Sequence, residues 1–171
     1  WNVGALAVKQ GESGALDSQN LFVGRAALNV LSESSVGVIF TSGDPLSSNG
    51  NTLGGVDFRY QNTRFSQRYT LSGNAFYQQT DTDGLTGDDK AYGVRAELDT
   101  QGTGIGGAVG YEYFGDDYRP ALGFANRLGV ETFTIDGSGR YFVQKHPFIR
   151  VLNSFANYEY TRSLSTGELQ S

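Results

Sequence analysis

Apolar and polar residues alternate with a period of two through almost the whole chain, and helical periodicity is nearly absent. Such alternation is typical of β-strands, whose successive side chains point to opposite faces of a sheet. Nine segments follow it, with boundaries accurate to a few residues. They cover about residues 1–10, 20–31, 35–42, 52–61, 66–79, 90–101, 103–114, 128–143 and 149–162. The sequence therefore predicts an all-β protein with about nine strands.

The alternation separates an apolar face from a charged face. In the sixth segment Val94 and Leu98 share one parity, whereas Arg95 and Glu97 share the other. Several segments reach the length of about 9–11 residues with which a tilted strand crosses a bilayer. Charges in the middle of such strands indicate that one face lines an aqueous interior. The residues predicted to line it are Arg25, Asp57, Arg59, Arg95, Glu97, Asp99, Glu112 and Arg140.

The connections between the segments alternate between long and short. Long polar loops fall at about residues 11–19, 43–51, 80–89 and 115–127, and short turns at about 32–34, 62–65, 102 and 144–148. The long loops are acidic, the short turns are mainly basic, and tyrosines collect near strand ends. This combination is typical of an antiparallel up-and-down transmembrane β-barrel. A soluble lipocalin-like ligand-binding barrel, with the apolar face lining its pocket, is the alternative.

Nine is an odd number of strands, whereas bacterial single-chain barrels usually have an even number. The chain also opens within a strand pattern at Trp1 and closes on a loop-like stretch after Leu164. We therefore expect residues 1–171 to be a single β-barrel region that forms an incomplete segment of a longer chain.

Composition excludes several kinds of function. The 171 residues include no Cys and one His, His146, so cysteine-ligated zinc, thiol catalysis and a relay between two histidines are excluded. The net charge of −5 argues against a nucleic-acid partner. The glycines of residues 102–107 suit a turn better than a nucleotide site, because a strand pattern follows them. We expect no cofactor.

Neighbouring carboxylates were considered as catalytic or metal-binding groups. Glu97 and Asp99 lie about 6.5–7 Å apart on one strand face, within the range of an inverting glycosidase, but Arg95 beside them favours a mixed-charge lining. We therefore expect no enzyme activity. A weak calcium candidate is formed by Asp81, Asp83 and Asp88, although Tyr92 stands where a closing Glu is required. A solvated acidic loop tip is the favoured interpretation, and a divalent cation that bridges this loop to lipopolysaccharide phosphates is the functional alternative.

The connection at residues 115–127 is the longest and mixes charged with apolar side chains. A purely solvated loop needs no such apolar groups, so this segment is expected either to fold into the barrel as a constriction or plug, or to pack on its rim. The residues assigned to this segment are Asp116, Asp117, Tyr118, Arg119, Pro120, Phe124 and Arg127.

Four stretches, at residues 22–25, 34–41, 55–58 and 115–127, occur in an order that resembles a known family. Together they are similar to the barrel region of an uncharacterised family of Gram-negative outer-membrane proteins. In that family a carbohydrate-binding-type sandwich, similar to family 9, precedes the barrel. The resemblance spans most of residues 1–165, and its most specific part is the spacing of Pro120, Gly123, Phe124 and Arg127. It implies no glycan-binding residue in this chain.

These observations predict an integral protein of the Gram-negative outer membrane. It would either pass small solutes, as porins do, or anchor a surface glycan-binding module. The expected partners are outer-membrane lipid and lipopolysaccharide, and also other outer-membrane or surface proteins.

The parity of the strands leads to a first prediction. Replacement of Leu71, Val94, Leu98 or Val109 by Arg should reduce the free energy of unfolding by about 2–4 kcal/mol, because each residue is expected to face lipid. The same change at Ser72, Gly93 or Ala108 should cost less if that face is wet. Denaturant titration in lipid vesicles measures both, and equal losses on the two faces would contradict the assigned parity.

Overall fold

The computed structural model describes residues 1–12, 14, 16–66, 68–100, 102–145 and 147–169. Gln67 and Gln101, which belong to predicted strands, and His146 lie outside them. In these ranges no helix is long and apolar enough to cross a membrane. The strands are β1 (Asn2–Gln10), β2 (Gln19–Val30), β3 (Ser34–Ser42), β4 (Asn51–Asn62), β5 (Tyr69–Thr82), β6 (Lys90–Thr100), β7 (Gly104–Phe114), β8 (Val130–Phe142) and β9 (Val151–Ser163).

The nine strands form one antiparallel sheet in which each strand pairs with its neighbours in sequence. This confirms the prediction of an all-β, up-and-down chain with nine strands. The largest boundary difference is in β5, which runs from Tyr69 to Thr82 rather than over residues 66–79. In the part of the chain that the structure describes, β1 and β9 do not pair, so the sheet is not closed.

The register aligns residues of equal parity in rows across the sheet. Ala75, Val94 and Tyr111 lie in one row of the apolar face, which continues to Phe133 on β8. Strands contact only their neighbours in sequence, so no described strand packs over either face. The apolar face is therefore open: Val94 is 54% exposed and Ile105 is 76% exposed.

A small hydrophobic cluster lies on the opposite, polar face, near the end of the sheet that carries the long loops. Its buried members are Leu53, Ala91 and Tyr118. Leu53 and Ala91 are strand residues, whereas Tyr118 comes from the connection between β7 and β8. That connection, residues 115–129, thus covers part of the polar face.

Gly93 and Ala108, two of the comparison positions on the polar face, have no room for a large side chain. A Cβ atom at Gly93 would lie 2.7 Å from the Phe76 ring and 3.1 Å from the carbonyl oxygen of Tyr111. Ala108 is itself buried. Arginine at either position would reduce the free energy of unfolding because of overpacking, whether or not the polar face is in contact with water. Ser72, which lines an open pocket, is therefore the informative control.

At the opposite end of the sheet, a carboxylate links two short turns. Glu33, between β2 and β3, accepts hydrogen bonds of 2.7 Å from both the backbone N–H and the hydroxyl of Thr63, between β4 and β5. The backbone hydrogen bond, the hydroxyl and the nearby Arg64 charge lower the pKa of Glu33. A depressed pKa stabilises the fold above the ordinary pKa of Glu, and the stabilisation is lost as the pH falls through the folded value.

This link gives a second prediction. Acidification from neutral pH to below about pH 4 should lower the thermal unfolding midpoint more in the wild type than in Glu33→Gln, because the variant has no carboxylate to protonate. Glu12→Gln, in an exposed loop of the other end, is the matched control. Circular dichroism melts over this pH range measure the effect, and parallel curves for wild type and Glu33→Gln would contradict it.

Candidate functional site

The eight residues that the sequence predicts to line an interior all lie on the polar face of the sheet, as the strand register requires. This face carries an open pocket of about 780 Å³. Six of the eight residues line it, whereas Glu112 and Arg140 lie elsewhere on the same face. The lining six are Arg25, Asp57, Arg59, Arg95, Glu97 and Asp99. Their role as a lumen lining stays a prediction.

An ion pair between β2 and β4 crosses the strand between them at a glycine. Arg25 Nη2 lies 2.9 Å from Asp57 Oδ1 and 2.8 Å from Asp57 Oδ2. Gly37 of β3 is the register partner of Asp57 and lies beneath the pair. A Cβ atom at Gly37 would lie 2.6 Å from Asp57 Oδ2 and 2.9 Å from Arg25 Nη2. The absence of a side chain at Gly37 thus leaves the space that the ion pair occupies.

A second ion pair repeats this arrangement four strands along. Arg95 of β6 reaches across Gly110 of β7, and its Nη2 lies 2.7 Å from Asp136 Oδ2 on β8. Asn157 of β9 donates to the other oxygen of Asp136 at 2.6 Å. Glu97 is a weaker partner of the same arginine, with its Oε2 3.9 Å from Arg95 Nε.

Asp136 is missing from the residues predicted to line the interior. The available signal was its parity with Arg140, which the sequence analysis did assign to the polar face. The alternation of β8 is irregular in the sequence, because Glu131 shares the parity of Phe133 and Ile135. In the structure Glu131 lies on the apolar face, near the long-loop end, and pairs with Arg162 of β9 at 2.5 Å.

The other predicted residues of the polar face have different partners. Arg140 Nε donates to Asn153 Oδ1 at 3.1 Å, and an oxygen of Asp99 accepts from the backbone N–H of Thr100 at 2.8 Å. Arg59 and Glu112 have no hydrogen bond or ion pair to any residue that the structure describes.

The first part of the 115–129 connection is fixed to the polar face. Tyr118 is 3% exposed and its hydroxyl donates to Gln78 Oε1 on β5. Its burial raises the pKa of Tyr118 to about 12. The backbone N–H of Arg119 donates to Thr80 Oγ1 at 3.1 Å, and Asn51 Nδ2 donates to the Arg119 carbonyl at 2.8 Å. The sequence pattern gives no indication of these strand partners.

The remaining predicted residues of this connection bond to another loop or within the connection itself. An oxygen of Asp117 accepts from the backbone N–H of Gly87 at 2.9 Å, and the Arg119 guanidinium donates to the carbonyl oxygen of Asp116 at 2.8 Å. The carbonyl of Pro120 accepts from Gly123 N–H at 2.8 Å, which closes a tight turn.

Two side chains in the second half of the connection are exposed, whereas Ala125 and Leu128 pack against the hydrophobic cluster. Phe124 is 87% exposed, and Arg127 is also exposed. With Leu46 of the loop between β3 and β4, Phe124 borders a second, largely apolar pocket of about 610 Å³.

The three carboxylates of the calcium candidate do not come together. Asp83 Oδ2 accepts from Gly50 N–H at 2.8 Å, and Asp88 accepts from the hydroxyl of Tyr113. Asp81, the penultimate residue of β5, lies on the apolar face. Among the residues that the structure describes, no group of three or more His, Cys, Asp or Glu side chains could hold a metal ion.

Tyrosines of the apolar face gather towards the long-loop end. Tyr92 and Tyr113 stack with ring centroids 4.8 Å apart. The hydroxyl of Tyr113 donates to Asp88 and that of Tyr111 donates to Glu131 Oε2 at 3.0 Å. The rings of Tyr111 and Tyr113 thus contribute apolar area to the face, whereas their hydroxyls bond to acidic groups near the long-loop end of the sheet.

Comparisons with protein-family models, with curated proteins and with solved structures gave no match.

The glycine beneath the first ion pair leads to a third prediction. A double-mutant cycle of Arg25→Met and Asp57→Asn should give a coupling energy of about 0.2–1 kcal/mol, because both groups are partly exposed. In the Gly37→Val background the coupling should fall to near zero, since the valine methyls occupy the space of the pair. Gly54→Val, where a Cβ atom meets nothing within 4 Å, is the matched control and should preserve the coupling. An unchanged coupling in Gly37→Val would contradict this account.

Proposed function

We propose that the chain forms part of the wall of an outer-membrane β-barrel, with its apolar face towards lipid and its polar face towards an aqueous interior. The observation that carries this proposal is the open apolar face of a single-layer sheet. Such a continuous apolar surface is costly in water and requires a cover. Strands of nine residues or more are long enough to cross the hydrocarbon core of a bilayer.

The positions of the tyrosines favour lipid as the medium that covers the apolar face. Aromatic rings enriched at the boundary between hydrocarbon and headgroups, with their polar atoms directed outwards, are typical of membrane-spanning barrels. Tyr77 follows the same pattern as Tyr111 and Tyr113, because its hydroxyl donates to Gln79, which lies nearer the long loops. The sequence resemblance to a family of outer-membrane barrels supports the same assignment.

The polar face favours the passage of small solutes. Both arginine–aspartate pairs join strands that lie two apart, so each pair lies flat along the wall. The space above them is an open pocket, lined by small polar side chains such as Ser72 and Asn74. Charges that pair along the wall leave an interior free for water, which a porin-like function needs. A membrane anchor for a surface glycan-binding module is the second role that this fold would serve.

The open edges support a barrel larger than nine strands. Unpaired backbone groups at a strand edge are very costly in hydrocarbon, so β1 and β9 both require partners. All eight pairings between them are antiparallel, and therefore β1 and β9 run in the same direction. Antiparallel closure thus takes an odd number of further strands.

The charges at the two ends of the sheet favour an orientation in a Gram-negative outer membrane in which the long loops face the cell exterior. The long loops carry Asp44, Asp83, Asp89 and further acidic residues, whereas the short turns carry Arg64, Arg68, Lys145 and Arg150. In barrels of this class the long loops face outwards. The acidic loops would then meet the phosphates of lipopolysaccharide through divalent cations.

A soluble lipocalin-like barrel remains the competing proposal, and it requires the apolar face to line the pocket. Detergent separates the two. As a membrane barrel, the purified protein should remain monodisperse only in detergent, and removal of the detergent should aggregate it. A chain that stays monodisperse in buffer alone would exclude the membrane barrel.

The 115–129 connection gives a fourth prediction. If it narrows the interior, deletion of residues 116–127 should raise the single-channel conductance in planar bilayers. Tyr118→Ala removes the anchoring ring and should raise the frequency of transitions to a more conducting level. Ser165→Ala, beyond the last strand, is a control that should leave the conductance unchanged. If neither the full-length protein nor the deletion conducts, the anchoring role is the better account.

A further inference from the structure

The three arginines of the polar pocket differ in how their charge is balanced. Arg25 and Arg95 each bind an aspartate that lies two strands further along the sheet. In register, each aspartate is two residues nearer the short turns than its arginine. Arg59 of β4 has the same orientation, and the carboxylate at the equivalent place is Glu97 of β6. Arg59 nevertheless has no partner among the described residues, and Glu97 lies near Arg95 instead.

The strand between Arg59 and Glu97 explains this difference. In each pair that forms, one of the two crossed positions is a glycine: Gly37 in the row of Asp57, and Gly110 in the row of Arg95. On β5, by contrast, Asn74 is the register partner of Arg59 and Ser72 is that of Glu97. Their side chains stand where a guanidinium would have to cross. β4 and β6 are about 9.6 Å apart, which is two interstrand spacings. To reach Glu97, the Arg59 side chain would therefore have to pass over the side chains of Asn74 and Ser72.

Arg59 is therefore surrounded by hydrogen-bonding groups that have no assigned partner. The Asn74 amide and the Ser72 hydroxyl line the same pocket and have no hydrogen-bond partner in the part of the chain that the structure describes. An arginine presents five N–H donors in a planar fork that matches the oxygens of carboxylates and phosphates.

We propose that Arg59, together with Asn74 and Ser72, forms a subsite for the carboxylate or phosphate group of a small hydrophilic solute. The subsite deepens the proposed function, because it rests on the polar face being the wet interior of a barrel. Asp57 does not neutralise Arg59, since both of its oxygens are bound by Arg25. The solute anion would lie over β5, where it accepts hydrogen bonds from the Arg59 guanidinium, the Asn74 amide and the Ser72 hydroxyl.

Nuclear magnetic resonance of [¹⁵N]arginine-labelled protein in neutral detergent micelles tests the subsite without any need for conduction. Titration with inorganic phosphate, and separately with acetate, should shift the Arg59 Nε–Hε resonance in a saturable manner. Asn74→Ala should weaken the apparent phosphate affinity on the order of tenfold, as expected for the loss of one charge-assisted hydrogen bond. Glu97→Gln should strengthen it by about twofold or more, because a negative charge is removed from the register partner of Ser72 on the adjacent strand.

Arg64, in a short turn outside the pocket, is the matched control. A shift of Arg59 that is no larger than that of Arg64 would overturn the proposal, and so would an affinity that is equal in the wild type and Asn74→Ala. If phosphate binds and acetate does not, the subsite takes phosphate esters, and the reverse result assigns it to carboxylates.

Ion selectivity provides a second measurement. In planar bilayers with a KCl gradient, Arg59→Gln should shift the reversal potential of the full-length protein towards cation preference, whereas Arg64→Gln should not. Absence of conduction in every variant would refute the porin-like function but not the subsite, which the titration decides. An Arg59→Gln channel with an unchanged reversal potential would refute the subsite.

Discussion

Backbone hydrogen bonds between neighbouring strands are the interaction on which the rest of this structure depends. Strands contact only their sequence neighbours, and the only hydrophobic cluster of buried residues in the described chain lies at one end of the polar face. Most proteins gain stability from a core between two packed layers. Here the interstrand hydrogen bonds must hold a single layer together. Each face of the sheet then contacts the surrounding medium rather than a second layer of the protein.

Much of this fold could be predicted from the sequence because the relevant signal is local. Within one strand, parity alone separates Val94 from Arg95, and no knowledge of distant residues is required. The same reasoning locates the turns, since a change from alternation to clustered Gly, Asp and Ser marks where a strand ends. A consecutive antiparallel order then follows for most strand pairs, because every connection except that between β7 and β8 is too short for a parallel crossover.

The pairing on the polar face could not be predicted in the same way, because it depends on the register between strands. Arg25 and Asp57 are 32 residues apart, and Gly37 lies beneath them only for one alignment of three strands. Tyr118 and Gln78 meet across 40 residues for the same reason. The sequence marks the loop as partly apolar, but not which of its aromatic rings is buried and which, as Phe124, is exposed.

The arginine–aspartate pairs have a consequence for how such a sheet finds its correct alignment. A slip of one residue between two strands would turn apolar side chains to the wrong face, so the alternation itself forbids it. A slip of two residues preserves both faces, and alternation cannot detect it. Each ion pair spans three strands with an offset of two residues between its partners, so a two-residue slip in either ladder changes the distance between the charges. The ion pairs therefore help to distinguish the native register from even-numbered slips, which the alternation of apolar and polar residues does not exclude.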